Sequence, residues 1–130
     1  MKKTWVLLFF ALAMCKGGIE KETRVLKPQA FQEKLQATPD AMLIDVRSLS
    51  EVKEGYIKGQ INFDFNAEEF RTLINGLDKK KTYFIYCAGG VRSAKTAEVM
   101  ESMDFEKVYT LDGGFNAWKA AGLPVKEPGK

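Results

Sequence analysis

Hydrophobic positions along the chain fall into short blocks whose spacing switches between helix and strand periods. Residues 27–36 place Ala30, Phe31 and Leu35 at helical spacing, with Pro28 suited to a first turn. Residues 41–46 (AMLIDV) are a short apolar run bounded by polar residues, the pattern of a strand buried on both faces. Ser48-Leu49-Ser50-Glu51 is a capping-box pattern, and it predicts a short helix that Gly55 ends. Another helix is predicted from Asn66, with Phe70, Leu73, Ile74 and Leu77 on one stripe and Gly76 near its end. Residues 82–86 (TYFIY) are the clearest strand. A helix over 93–103, a strand over 108–111 and a last helix over 116–121 complete the series. Strands separated by helices need crossover connections. The expectation is therefore a single α/β domain with a mostly parallel central sheet and helices on both faces.

The first apolar block belongs to no such element. Met1-Lys2-Lys3 is basic, and residues 5–14 (WVLLFFALAM) are uninterrupted apolar sequence. A helix crossing the bilayer core needs about 20 residues, so this run suits the hydrophobic region of an export signal instead. Two processing routes fit. Ala11-Leu12-Ala13 has the small-x-small pattern for cleavage after Ala13, whereas Leu12-Ala13-Met14-Cys15 resembles a bacterial lipoprotein signal in which Cys15 is lipidated. Both predict export to the periplasm or cell envelope, and the second adds membrane contact through a lipid anchor. The expected organisation is a signal at 1–14, a tether at 15–23, the domain at 24–126 and a tail at 127–130.

Composition narrows the chemistry. The chain has 130 residues, one domain's worth, and at 45% hydrophobic and 28% charged it is too apolar for a disordered chain. It has no histidine, which removes Ser-His-Asp and Cys-His nucleophile arrangements and His-containing zinc sites. Two cysteines, Cys15 and Cys87, cannot build a disulfide framework or a four-thiolate cluster. The formal charge of +3 falls to 18 − 17 = +1 once Lys2 and Lys3 leave with the signal. No nucleic-acid partner is expected on that balance, and Lys79-Lys80-Lys81 reads as a solvated turn. A thiol, carboxylates, lysines and backbone dipoles remain to carry any chemistry.

In open parallel sheets, sites form where strands end and helices begin. The sharpest such junction is residues 83–93, with Cys87 at the end of the TYFIY strand. Gly89 and Gly90 permit backbone conformations closed to other residues, so that successive N–H groups curl inward as an anion-binding nest. The following helix points its positive end at the same place. A thiol there has its pKa lowered, which raises the nucleophilic thiolate fraction. Arg92 adds a second positive charge or orients a bound oxyanion. The bland alternative is that Cys87 is one more small apolar residue closing a buried strand.

Cys87-x-x-Gly90-x-Arg92-Ser93 resembles the active-site loop of the rhodanese (sulfurtransferase) family. Upstream, Asp45-Val46-Arg47, Glu51 and residues 55–62 (GYIKGQIN) are similar to that family's Asp-Val-Arg, Glu and Gly-His-Ile-x-Gly-Ala-x-Asn blocks, with Tyr56 and Gln60 in place of the usual His and Ala. Downstream, residues 111–118 (LDGGFNAW) resemble its Leu-x-Gly-Gly-x-x-x-Trp ending. The resemblance implies Cys87 as nucleophile, with Ala88, Gly89, Gly90, Val91, Arg92 and Ser93 forming the loop around it. Asp45 and Arg47 are expected to hold neighbouring loops by charge-assisted hydrogen bonds. Gly113 and Gly114 suggest a tight turn, and Trp118 and Tyr86 suggest packing.

The implied activity is transfer of sulfane sulfur from a donor such as thiosulfate or a persulfide to cyanide or a thiol, through a Cys87 persulfide and without a cofactor. A monomer is expected. One alternative is a non-enzymatic envelope sulfur carrier or persulfide relay that hands sulfur only to a docked protein. Another is phosphatase or arsenate reductase chemistry, whose cradle resembles Cys-x5-Arg. Only four residues separate Cys87 from Arg92 here, which makes a smaller ring of amides.

Overall fold

The computed structural model describes residues 22–129. The signal and Cys15 lie outside the described residues. Five strands, β1 (Glu22–Leu26), β2 (Met42–Asp45), β3 (Ile61–Asn62), β4 (Thr82–Tyr86) and β5 (Lys107–Leu111), form one sheet in the order β1-β5-β4-β2-β3. Every pairing is parallel. Five helices make the connections: α1 (Pro28–Ala37), α2 (Leu49–Val52), α3 (Phe70–Asn75), α4 (Val91–Ser102) and α5 (Gly114–Ala120).

Strand alternation divides the core into two layers. On β4, Tyr83 and Ile85, followed by Cys87, face Phe70 and Ile74 of α3 and Ala97 and Met100 of α4. Phe84 and Tyr86 face the other way, toward Phe31 of α1 and Phe115 and Trp118 of α5. Phe84 is fully buried between the Phe31 ring, edge-on at 5.3 Å, and the Tyr109 ring, stacked at 5.1 Å. Cys87 thus leaves the sheet on the α4 side.

Two strands were absent from the sequence pattern. β1 begins at Glu22, so the last two residues of the expected tether at 15–23 belong to the sheet. As an edge strand paired only with β5, it needs no continuous apolar run, and Val25 is 65% exposed. β3 is two residues long, too short for any period to register. α3 starts at Phe70, four residues after the expected Asn66, because the Asp64 carboxylate accepts the Asn66 N–H (2.9 Å) and builds a turn there instead. Of its expected stripe, Phe70 and Ile74 are buried while Leu73 is exposed. The capping box at Ser48 and Glu51 forms in both directions, and residues 79–81 are an exposed turn.

Candidate active site

Cys87 follows β4 directly and its side chain is 1% exposed. The chain then turns through Ala88, Gly89 and Gly90 into α4, and Gly90, the residue preceding the helix, has φ of 106°. This conformation aims two N–H groups at the sulfur: Gly90 N lies 3.1 Å and Ser93 N 3.4 Å from Cys87 Sγ. Ser93 Oγ lies 3.5 Å from Sγ and donates to Gly90 O at 3.1 Å. In the thiol state Sγ–H donates to Ser93 Oγ. In the thiolate state the same hydroxyl rotates and donates to sulfur, so Ser93 serves both protonation states. Burial pushes the Cys87 thiol up, but the Ser93 hydroxyl and the amides of Ser93, Gly90 and Gly89 outweigh it and hold the pKa below the ordinary 9.0.

The loop is braced from behind by α5. Phe115 N donates to Cys87 O (2.7 Å) and Asn116 N to Ala88 O (3.0 Å), so otherwise unpaired first-turn amides of that helix fix the loop carbonyls outward. With the carbonyls held there, the loop amides are left to face the sulfur. Close approach makes this possible: a Cβ on Gly114 would lie 2.5 Å from Cys87 O and 2.6 Å from Ala88 C, at φ of 61°. Gly89 differs, because it lies outside the left-handed region and a Cβ there would meet nothing within 4 Å. Of the loop's glycine pair, only Gly90 needs to be glycine for backbone reasons. Gly114→Ala is expected to destabilise the domain by at least about 2 kcal/mol, through positive φ plus a backbone clash, while Gly89→Ala stays within about 0.5 kcal/mol. Urea midpoints of the two variants check this. Equal midpoints would mean that α5 does not brace the loop.

A model of the rhodanese-like domain matches residues 27–121. The chain belongs to that family. It is 28% identical to the thiosulfate sulfurtransferase GlpE of Glaesserella parasuis over 108 residues, 83% of this chain and 97% of that one. It is 31% identical to YtwF of Bacillus subtilis over 105 residues, 79% of this chain and 97% of that one. The crystal structure of a rhodanese-related protein from Thermoplasma volcanium superposes with a TM-score of 0.69 at 27% identity, covering 79% of this chain and 97% of that one. These relationships make the protein a member of the sulfurtransferase family.

Within this rhodanese-like domain, Arg92 is already occupied. Its Nη1 and Nη2 each donate to a Glu51 carboxylate oxygen at 2.8 Å, a two-point pair between α4 and α2. Glu51 is held in turn by the backbone N–H and hydroxyl of Ser48, both 2.9 Å from Oε2. Arg92 foremost, with Ser48, brings the Glu51 pKa down to about 2 despite partial burial. The guanidinium positions the loop against α2, and its charge is largely compensated there. Glu51 is the site residue that the junction reading missed. Its signal was the capping box, which also orients the carboxylate.

Asp45 and Arg47 are buried together, with Arg47 Nη2 2.7 Å and Nε 3.0 Å from the Asp45 carboxylate. Arg47 Nη2 also donates to Gly55 O (2.8 Å), and Asn62 Nδ2 donates to the carbonyls of Asp45 (2.9 Å) and Arg47 (2.8 Å). Neither side chain bonds to the sulfur loop. Tyr86 is fully buried, its hydroxyl accepting the Ile57 N–H (3.1 Å), and burial pushes its pKa up, so it stays protonated. Trp118 is core, with Nε1 donating to Pro124 O (2.8 Å). Among the described residues no group of three metal-binding side chains converges.

Proposed function

We propose that the domain is a thiosulfate-type sulfurtransferase working through a persulfide on Cys87. The Cys87 thiolate attacks the sulfane sulfur of thiosulfate. The sulfur–sulfur bond breaks, its electron pair leaves with sulfite, and Cys87 carries the outer sulfur as an anionic persulfide. An acceptor, cyanide or a thiolate, then attacks that outer sulfur, and the electron pair of the second broken bond returns to Sγ. The observation that supports this reading best is the convergence of the Gly90 and Ser93 amides and the Ser93 hydroxyl on one buried sulfur. Preorganised donors of this kind stabilise anionic sulfur without a metal. Phosphate chemistry is disfavoured, because the arginine such a cradle needs is committed to Glu51.

The basic and apolar residues 1–14 support export, and Cys15 a lipid anchor, with the domain a monomer facing the periplasm or envelope. Lipidation would leave Cys87 as the one free thiol of the mature chain, so no internal partner could reduce its persulfide.

One experiment tests both parts: intact-mass measurement of protein purified from whole cells, before and after thiosulfate. The expected result is an N-terminus at a lipid-modified Cys15 and a gain of one sulfur atom on Cys87, removed again by cyanide. A chain that takes sulfur from a persulfide donor but never from thiosulfate would be a carrier instead. A start at Met14 would replace the lipid anchor with plain secretion.

A further inference from the structure

The charge that the sulfur loop presents is set from outside it. Between Cys87 and Ser93 the one side chain with a fixed charge is Arg92. Its guanidinium lies within electrostatic reach of the sulfur: Glu51 does most to raise the Arg92 pKa, against partial burial, and the negative charge of Cys87 adds to it. A free guanidinium there would draw a doubly charged anion to the loop more strongly than a singly charged one. Arg92 is not free. Glu51 takes both of its Nη atoms at 2.8 Å, and the two side chains are 25% and 34% exposed, so the pair is open to solutes but closed in charge. Glu51 is also held in that pose, because its Oε2 accepts from the Ser48 N–H and hydroxyl, each at 2.9 Å, in the capping box of α2. The neighbouring Arg47 offers no replacement, since Asp45 closes it in the same way.

We propose that Glu51 determines which sulfur donors the site prefers: by withholding Arg92 it removes the advantage a dianion would have, and the site takes donors with a single negative charge at least as readily. The inference rests on the persulfide reading above. In either case the Cys87 thiolate forms a bond to the donor's terminal sulfur and the donor's sulfur–sulfur bond breaks. The electron pair leaves with sulfite when the donor is thiosulfate, and with a sulfinate when it is a thiosulfonate. Both routes leave the same anionic persulfide, so they differ at the loop in the charge that arrives and departs. Glu51 never bonds to the sulfur or its donors N90 and N93 in this structure, and it acts through Arg92. It is a positioning residue whose effect is electrostatic, which separates it from a brace that merely keeps α2 and α4 together.

The test measures kcat/KM of the full-length protein for two donors, thiosulfate with two negative charges and methanethiosulfonate with one, with cyanide as the common acceptor. The intrinsic reactivity of each donor and the nucleophilicity of Cys87 cancel when the ratio of the two donors is compared across variants. Glu51→Gln keeps the capping box, which glutamine also satisfies, and removes the charge. It is expected to raise the thiosulfate-to-methanethiosulfonate ratio about threefold, the scale of one exposed charge pair. Arg92→Gln leaves the carboxylate unopposed and is expected to lower the ratio by a similar factor. The double variant, neutral again, should return to the wild-type ratio, and both single shifts should shrink with added salt. A purely structural role would slow both donors alike. Ratios unchanged in both single variants, or moved in the same direction, with both donors still loading Cys87, would overturn the inference and leave the persulfide reading intact. A wild-type protein that takes sulfur from neither donor would overturn the persulfide reading and the inference with it.

Discussion

Cys87→Ser is expected to lower thiosulfate-to-cyanide transfer by at least about a thousandfold, the scale seen when a nucleophile is removed. The donors around Sγ favour an anion, but a serine hydroxyl is so much less acidic than a thiol that they leave it protonated at neutral pH. The fold should survive, because serine still offers Gly90 N and Ser93 N an acceptor. Cys87→Ala should lose activity equally and cost about 1–3 kcal/mol more in stability, since it leaves those buried amides without a partner. In the wild type, the rate should rise with pH through a value below the ordinary thiol 9.0, because the folded protein stabilises the thiolate. Steady-state rates across pH and denaturant midpoints for the three proteins settle these points together. A serine variant with a substantial part of wild-type activity would mean that another group is the nucleophile.

Local rules made much of this legible, and contacts distant in sequence account for the rest. The strand β4 and the capped α2 were readable because a buried strand and a capping box are written in adjacent residues. The nest around Cys87 was readable for the same reason, as all its donors lie within six positions of the sulfur. What faces the loop from elsewhere was not readable. The Arg92–Glu51 pair joins positions 41 apart, so the sequence left Arg92 looking free to hold an oxyanion. The brace from Phe115 and Asn116 reaches back more than two dozen residues, so Gly113-Gly114 read as a turn and not as a docking point for the loop. Glycine freedom at 89 and 90 looked equivalent because the sequence does not show which of the two sits at positive φ.

Asp45→Ala is expected to be the most destabilising change at a residue that never touches the sulfur. Asp45 is fully buried and accepts from the Arg47 backbone N–H, Nε and Nη2. Removing it strands the guanidinium of Arg47, a residue only 3% exposed, and breaking a buried pair from one side costs about 3–5 kcal/mol. The loss should spread to the site. Arg47 also holds Gly55 O and reaches Glu51 O (3.4 Å), so it anchors the C-terminal end of α2 and the turn that follows, and α2 carries the carboxylate that fixes Arg92. Asp45 is therefore a positioning residue, acting through Arg47, α2 and Glu51 on the loop. Restoring burial without charge separates the two effects. Asp45→Ala combined with Arg47→Met should recover part of the lost stability, giving a double-mutant cycle with a coupling of at least about 1 kcal/mol. Transfer activity should stay low in both, because neither restores the contacts to Gly55 and Glu51. Denaturant unfolding and steady-state transfer measure the two quantities separately. An Asp45→Ala cost below about 1 kcal/mol, against the large values of broken buried pairs, would show that solvent reaches the pair and that α2 does not depend on it.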